Sequence, residues 1–197
     1  MRKAGRFFNP VTLLLAGLCF LLPFATVACN TPGGYGRAAP GGSSTYTGID
    51  LAVGGQPDVT PDKVRPLPPG ERDTLPPQPA AIVVLVLVLA AIGFAIRTES
   101  PYFRRASVAV LAGVAGTALL VNQALVQAEL NVRVSEHLSR TGEKLPAGKT
   151  THDYVQTGQG FGLCLLLLLV ILVVNAIGWW RARPRPALVS GDSTQQL

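Results

Sequence analysis

The sequence predicts an all-α membrane protein: a bundle of four transmembrane helices with a small extracytoplasmic cap, in which short β-strands are a candidate element of the first outer loop. Three observations lead to this fold class. Hydrophobic residues make up 48% of the 197 residues and charged residues only 14%, whereas soluble domains carry about 25% charged residues. The apolar residues fall into four runs without Lys, Arg, Asp or Glu. Arginines stand beside the ends of these runs.

The apolar runs are long enough to cross a bilayer as helices, since a helix needs about 20 residues for the ~30 Å hydrocarbon core. They are continuously apolar rather than alternating, which favours helices over barrel strands. The predicted order is a cytoplasmic N-tail (1–10), a first span (11–28), an outer loop (29–79), a second span (80–96), a cytoplasmic turn (97–105), a third span (106–126), a second outer loop (127–160), a fourth span (161–180) and a cytoplasmic C-tail (181–197).

The first span contains Pro23, which is expected to kink its helix near the outer leaflet. An alternative exists for this segment. The basic start MRKAGR, the apolar run and TVAC with Cys29 resemble a lipoprotein signal, and cleavage or lipidation at Cys29 would leave three spans. Such signals usually carry an aliphatic residue three positions before the cysteine, where this chain has Thr26. We therefore expect an intact first span.

The first outer loop has two parts of different composition. Residues 43–55 contain β-branched and aromatic residues bounded by glycines, which predicts a short strand or hairpin. Residues 56–79 are rich in proline without apolar periodicity, so an extended polyproline-II-like linker is expected. A solvated connector is the simplest interpretation of the loop. The alternative is a partner-binding segment with Tyr46, Gly48 and Asp50 as contact residues, together with Tyr35.

The short second span begins after Pro79, and the basic turn at its end makes the second and third spans antiparallel neighbours. Small residues in the third span recur at a spacing of four, which lets helices approach closely. The second and fourth spans carry bulky Leu and Val and are expected to face lipid more. The candidate packing residues and interhelical hydrogen-bonding residues of the spans are Gly113, Gly116, Asn122, Gln123 and Asn175.

The second outer loop starts with AELNVRVSEHLSR, which fits a helical extension of the third span and equally permits a strand. Good helix formers such as Ala128 and Glu136 favour the helix. Such a helix would carry an apolar stripe above the membrane, listed as Val126, Leu130, Val134 and Leu138, against which the strand-like part of the first loop is expected to pack. The rest of the loop, up to the fourth span, is expected to be irregular.

The distribution of charge orients the chain. The inner segments hold nine basic residues against Glu99 and Asp192, while the outer loops hold eight basic and nine acidic residues. Basic residues beside the span ends follow the positive-inside rule. This predicts a multi-pass protein of the plasma membrane with both termini in the cytoplasm. The net charge of +6 does not indicate nucleic-acid binding, because no aromatic-and-basic surface stretch is present.

The residues that carry chemistry are few. Cys29 and Cys164 both lie near the predicted outer face, so a disulfide between them is a candidate. Cys19 is predicted to be a packing residue. No Cys/His cluster, phosphate-binding loop or nucleophile motif occurs, so neither a metal site, a cofactor nor an enzyme is predicted. His137 and His152 are expected to be solvated loop residues.

Three segments, LPFATVAC (22–29), TGIDLAVGG (47–55) and GQGFGLCLLLLL (158–169), resemble recurring pieces of small uncharacterised bacterial four-span membrane proteins, chiefly actinobacterial. The layout also resembles that of claudins in topology only, since the first loop has no Trp and only one Cys. These resemblances imply a four-span fold and no assigned activity.

The function predicted from the sequence is therefore that of a non-enzymatic accessory protein. It would present its outer loops to a membrane or extracytoplasmic protein partner, with the lipid bilayer as its other partner. A small transporter or channel component is the alternative, and an envelope sensor is a second one. The ligand and the oligomeric state do not follow from the sequence.

Overall fold

The computed structural model describes residues 4–28, 34–60, 66–67, 72–142 and 144–182. The fold is mostly helical with a small sheet. Cys29 and all but the first two residues of the predicted C-tail lie outside the described residues.

Three helices are long enough and apolar enough to cross a membrane: α3 (Pro79–Arg97), α4 (Pro101–Thr141) and α5 (Gln159–Arg181). They cover the second, third and fourth predicted spans. Helices α3 and α4 both start with proline, whose missing N–H has no helical partner at that position. Only residues 98–100 separate them, so they run antiparallel.

The first predicted span has a different structure from the one expected. Helix α1 (Ala4–Leu18) continues only into a 3₁₀ turn (Cys19–Leu21), and residues 23–28 form strand β1 (Pro23–Ala28). The prediction of a helix through residue 28, merely kinked at Pro23, is therefore wrong. Proline disfavours the helical conformation of the residue before it, and Leu22 is accordingly extended, with φ −91° and ψ 163°. At 15 residues α1 is about 22 Å long, shorter than a ~30 Å hydrocarbon core.

The helices enclose one apolar core. Helix α1 packs against α3 and α5, and α4 packs against the same two helices. Leu13, Val84, Leu119 and Leu168 are completely buried where they meet. In their most apolar segments α4 is 39% buried, and α3 and α5 are 28% buried each, so the second and fourth predicted spans are indeed the more exposed ones.

Helix α4 extends far beyond its apolar segment. Its 41 residues correspond to about 60 Å. The predicted helical continuation of the third span is confirmed, and the predicted stripe that ends at Leu138 is buried. The helix stops at Gly142, whose φ of +69° is left-handed.

A four-stranded antiparallel sheet lies at the end of the bundle where α4 projects. Its strands are β1, β2 (Ser43–Thr47), β3 (Asp58–Thr60) and β4 (Val155–Thr157), in the order β3-β2-β1-β4. Strand β1 pairs Thr26 with Thr45 of β2 and with Gln156 of β4. We refer to the described parts of residues 22–60, 72–78 and 127–158 as the cap.

The first outer loop is more structured than its composition suggests. The strand expected within 43–55 is present as β2, but the residues after it form helix α2 (Gly48–Val53). A capping box explains the change, because the Asp50 amide donates to Thr47 Oγ1 and the Thr47 amide donates to Asp50 Oδ2.

The expected extended linker and the expected irregular part of the second outer loop also contain structure. Strand β3 lies within the linker and pairs with β2, and Leu75 in the same linker is buried. Strand β4 lies within the second loop and pairs with β1 rather than remaining irregular.

Candidate functional site

The strongest candidate site is a polar cleft beside the projecting part of α4. Residues 129, 133, 136 and 140 follow one another at spacings of three and four, so their side chains lie on one face of the helix. They alternate in charge as Glu, Arg, Glu and Arg. This face looks toward the two segments of the first outer loop that form the other walls of the cleft.

Arg133 attaches the first of these segments to α4. Its Nη1 donates to the carbonyl oxygens of Arg72 and Thr74 at 3.1 and 2.9 Å. Its Nη2 forms an ion pair with Glu129 at 2.7 Å. The other oxygen of Glu129 accepts a hydrogen bond from Gln78 Nε2 at 3.0 Å. The segment from residue 72 to 78 is therefore held in place at both ends.

The second wall is the turn formed by residues 34–38. Arg37 in this turn forms an ion pair with the buried Asp73. Gly36 has a left-handed φ of +56°, and a Cβ added there would lie 2.9 Å from the Cβ of Asp73. Glycine is therefore required for the turn to approach the other segment so closely.

The cleft between these walls has a volume of about 350 Å³. Small-ligand sites typically measure roughly 300 to 1,000 Å³. The lining combines guanidinium groups, carboxylates and aromatic rings: Tyr35, Gly36, Arg72, Glu129, Val132, Arg133, Glu136, His137 and Arg140.

Tyr35 and His137 are the aromatic residues in the lining of the cleft. Their rings meet nearly edge to face, with centroids 6.1 Å apart and an angle of 70°, and both residues are buried. The prediction that His137 is a solvated loop residue is therefore wrong, because the helical extension turns it toward the cap. His152, the other histidine, is exposed, and its Nδ1 lies 2.9 Å from Asn131 Nδ2.

The three residues predicted as outer-loop contacts all contribute to the internal structure of the cap. Tyr46 is completely buried, and its hydroxyl donates to the carbonyl oxygen of Asp73 at 2.6 Å. Burial raises its pKa, which keeps the hydroxyl protonated as a donor. Gly48 is buried against Phe20, and Asp50 belongs to the capping box of α2. Tyr46, Gly48 and Asp50 therefore stabilise the cap, and their role as contacts for a partner stays a prediction.

The polar residues of the spans behave in three ways. Asn175 forms a reciprocal amide pair with Asn9 of α1, at 2.8 and 3.0 Å. Gln123 Nε2 lies 3.4 Å from the carbonyl oxygen of Phe24. Asn122 is 1% exposed, yet neither its Nδ2 nor its Oδ1 has a hydrogen-bond partner among the described residues.

The two glycines of the third span lie beside α5. A Cβ on Gly113 would lie 3.6 Å from Leu172, and one on Gly116 would lie 4.0 Å from Leu165. Both are ordinary contact distances, so the helices approach here without requiring glycine.

Cys164 is completely buried with a free thiol, and its Sγ lies 3.5 Å from the carbonyl oxygen of Ala16. Cys19 is also a buried free thiol. Cys29 lies outside the described residues, so its pairing with Cys164 and its lipidation stay predictions. Within the described ranges, no group of three or more His, Cys, Asp or Glu side chains is arranged to hold a metal ion.

A second concavity, of about 800 Å³, runs along the outward face of α4 between α3 and α5. It is lined by apolar side chains and Gly113, apart from Thr117, whose hydroxyl donates to the Gly113 carbonyl at 3.1 Å. With only the Thr117 hydroxyl and the indole N–H of Trp179 in this lining, it offers few polar groups that would orient a specific ligand. The cap cleft, with its opposite charges, is the better candidate for recognition.

Comparison of the chain with protein-family models, with curated proteins and with solved structures gives no match. The resemblance to bacterial four-span proteins stays a prediction, and the site is interpreted from its own geometry.

The cleft itself was not predicted from the sequence. A signal was present in the alternating charges of the helical extension, but they are equally typical of a solvated helix face. What distinguishes them is the return of residues 72–78 to the helix, which no local pattern encodes.

Proposed function

We propose that the protein is a non-enzymatic interaction protein of the plasma membrane. Its helices anchor a folded cap outside the cytoplasm, and the cap binds an extracytoplasmic partner through the cleft beside α4. The observation that carries this proposal is the cleft itself, which is assembled from three separate segments and lined by charged groups.

The cap is built to hold one shape. Strand β1 follows α1 after a 3₁₀ turn, β4 stands directly before α5, and α4 belongs to both the cap and the bundle. A preformed site loses little conformational entropy when a partner binds, which favours affinity for a given contact area. These direct connections between the cap and the helices support a binding role rather than that of a passive connector.

The orientation rests on charge. Arg97, Arg104, Arg105 and Arg181 lie at the end of the helices away from the cap, where only Glu99 is acidic among the described residues. The positive-inside rule then directs the cap outward. The alternatives of a transporter component and of an envelope sensor stay predictions, since no contact among the described residues favours either.

Site-specific photocrosslinking in native membranes tests the proposal. A benzophenone amino acid at Val132, which lines the cleft and is 58% exposed, should give a reproducible adduct with another protein. The matched control is Val53, which is 67% exposed in the cap but does not line the cleft. Adducts of equal yield from both positions, or none from Val132, would contradict the proposal.

A C-terminal reporter tests the orientation separately. Alkaline phosphatase fused after Leu197 should be inactive and green fluorescent protein should fluoresce, because both report a cytoplasmic terminus. The opposite pair of results would place the cap on the cytoplasmic side and exclude an extracytoplasmic partner.

A further inference from the structure

The charged groups of the cleft are not all used by the fold. Glu129 and Arg133 form an ion pair with each other, and both form hydrogen bonds with the segment from residue 72 to 78. Arg72 and Glu136 are exposed, and their side chains make no hydrogen bond or ion pair with another described residue. The fold therefore leaves one guanidinium and one carboxylate directed to the same cavity.

The positions of these two groups suit a ligand with both signs of charge. Glu136 lies on α4, one turn before Arg140, while Arg72 lies on the facing wall, where its carbonyl is held by Arg133. A simple anion would meet Glu136 as a like charge, and a simple cation would meet Arg72 and Arg140. Either ligand would therefore be repelled by a charged group on one wall of the cleft.

We propose that the cleft binds a small zwitterion of amino-acid or dipeptide size, an inference that rests on the recognition role proposed for the cleft and not on the partner being a protein. The carboxylate of the ligand contacts Arg72, and its ammonium group contacts Glu136. Arg is suited to the first task because its guanidinium can donate two parallel hydrogen bonds to one carboxylate. The carbon skeleton lies over Tyr35 and Val132, which supply the apolar part of the lining.

The size of the cleft agrees with this class of ligand. Its volume of about 350 Å³ is at the small end of ligand sites. Arg133 is a positioning residue here, because its Nη1 holds the wall that carries Arg72 through two backbone carbonyls.

The test is a titration of the full chain in lipid nanodiscs with three probes of related shape. L-Alanyl-L-alanine carries both charges, N-acetyl-L-alanine only the carboxylate, and L-alanine amide only the ammonium group. Isothermal calorimetry should show the dipeptide binding at least about tenfold more tightly than either half-probe, because each half-probe leaves one charged group without its partner.

Two variants assign the roles. Arg72→Gln and Glu136→Gln should each weaken dipeptide binding about tenfold, the loss of one charge-assisted contact. Glu136→Gln should also narrow the difference between the dipeptide and N-acetyl-L-alanine, because the like charge is gone. The control is Arg104→Gln, which changes the same charge at the opposite end of the helix and should leave dipeptide binding unchanged.

Equal binding of N-acetyl-L-alanine and the dipeptide would overturn the zwitterion in favour of a plain anion. The absence of dipeptide binding, with the Val132 adduct still formed, would overturn the inference and leave the proposed function standing. Dipeptide binding without any Val132 adduct would support the ligand site and contradict the proposal of a protein partner.

Discussion

The cap and the bundle are stabilised by different kinds of contact. In the bundle, α3, α4 and α5 pack through apolar and small side chains, and Asn9 with Asn175 forms a reciprocal polar contact between helices. In the cap, directional hydrogen bonds add to the apolar core: the capping box of α2, the hydrogen bond of the Tyr46 hydroxyl and those of Arg133. The contacts of the bundle are suited to the apolar interior of a membrane, which forms no hydrogen bonds, and those of the cap are suited to water.

The difference between the two regions indicates where specific recognition of a ligand can arise. An apolar interface tolerates exchange among side chains of similar volume, because dispersion forces have little direction. A cap fixed by directional bonds places its charged groups at defined positions. Substitutions in the two regions should therefore differ in size and in sign.

The largest effect is expected at Gly158, where the cap joins α5. A Cβ there would lie 2.2 Å from the carbonyl oxygen of Pro23, so the backbone of β1 or β4 must move. Gly158→Ala should cost about 3 kcal/mol or more, as overpacking against backbone does, and lower the melting temperature in detergent.

The matched control for this substitution is Gly162→Ala, one turn further along, where a Cβ would meet nothing within 4 Å. It should be neutral or stabilising by up to about 1 kcal/mol, because alanine is the better helix former. Equal melting temperatures of the two variants in a thermal-shift assay would contradict the close contact assigned to Gly158.

The next effect concerns the wall of the cleft. Arg133→Met keeps much of the aliphatic length but removes the donors to two carbonyls and to Glu129. Hydrogen bonds from a charged donor are worth about 1.5 to 3 kcal/mol, and the partial exposure of this site lowers the expected loss to about 2 kcal/mol. Hydrogen exchange should rise in residues 72–78 first, while α3 and α5 stay protected. Uniform loss of protection would contradict the assignment of Arg133 to the cap.

In the bundle, Asn122→Leu should raise stability. The amide is buried without a hydrogen bond to a described residue, and an unpaired buried amide costs about 1 to 3 kcal/mol, so a gain of about 1 kcal/mol is expected. Asn175→Leu is the control and should destabilise, because it leaves Asn9 without its amide partner. Unfolding in mixed micelles measures both. A loss at Asn122 equal to that at Asn175 would show that its amide is satisfied by water.

The smallest effect is expected at the cap of α2. Thr47→Ala removes the hydroxyl that accepts from the Asp50 amide and should cost about 1 kcal/mol. Thr47→Ser keeps the hydroxyl and should restore most of the stability, as measured by the same thermal-shift assay. Failure of serine to restore it would assign the loss to packing.

The three long helices were predictable from the sequence, whereas most of the strand pairing in the cap was not, for a physical reason. Runs such as residues 80–96 carry their own signal, since lipid demands a helix from any continuous apolar segment. Strands β3 and β4 have three residues each and exist because β2 and β1 lie beside them. Pro23 is a local signal for the end of the first helix, but the apolar run around it favoured a longer helix.

The site could be predicted only in part. The helical extension that carries Glu129 and Arg133 followed from helix propensity. The burial of Tyr46 and His137 depends on segments that return from far along the chain, so polar or aromatic character misled the interpretation of both.

Because α4 is one uninterrupted helix, the direction of its charged face about the helix axis is set by the number of residues before it. One residue inserted between Gln123 and Leu130 would rotate that face by about 100° around the axis, away from the segment that Arg133 holds. Seven inserted residues would return it almost to its starting direction, raised by about 10 Å.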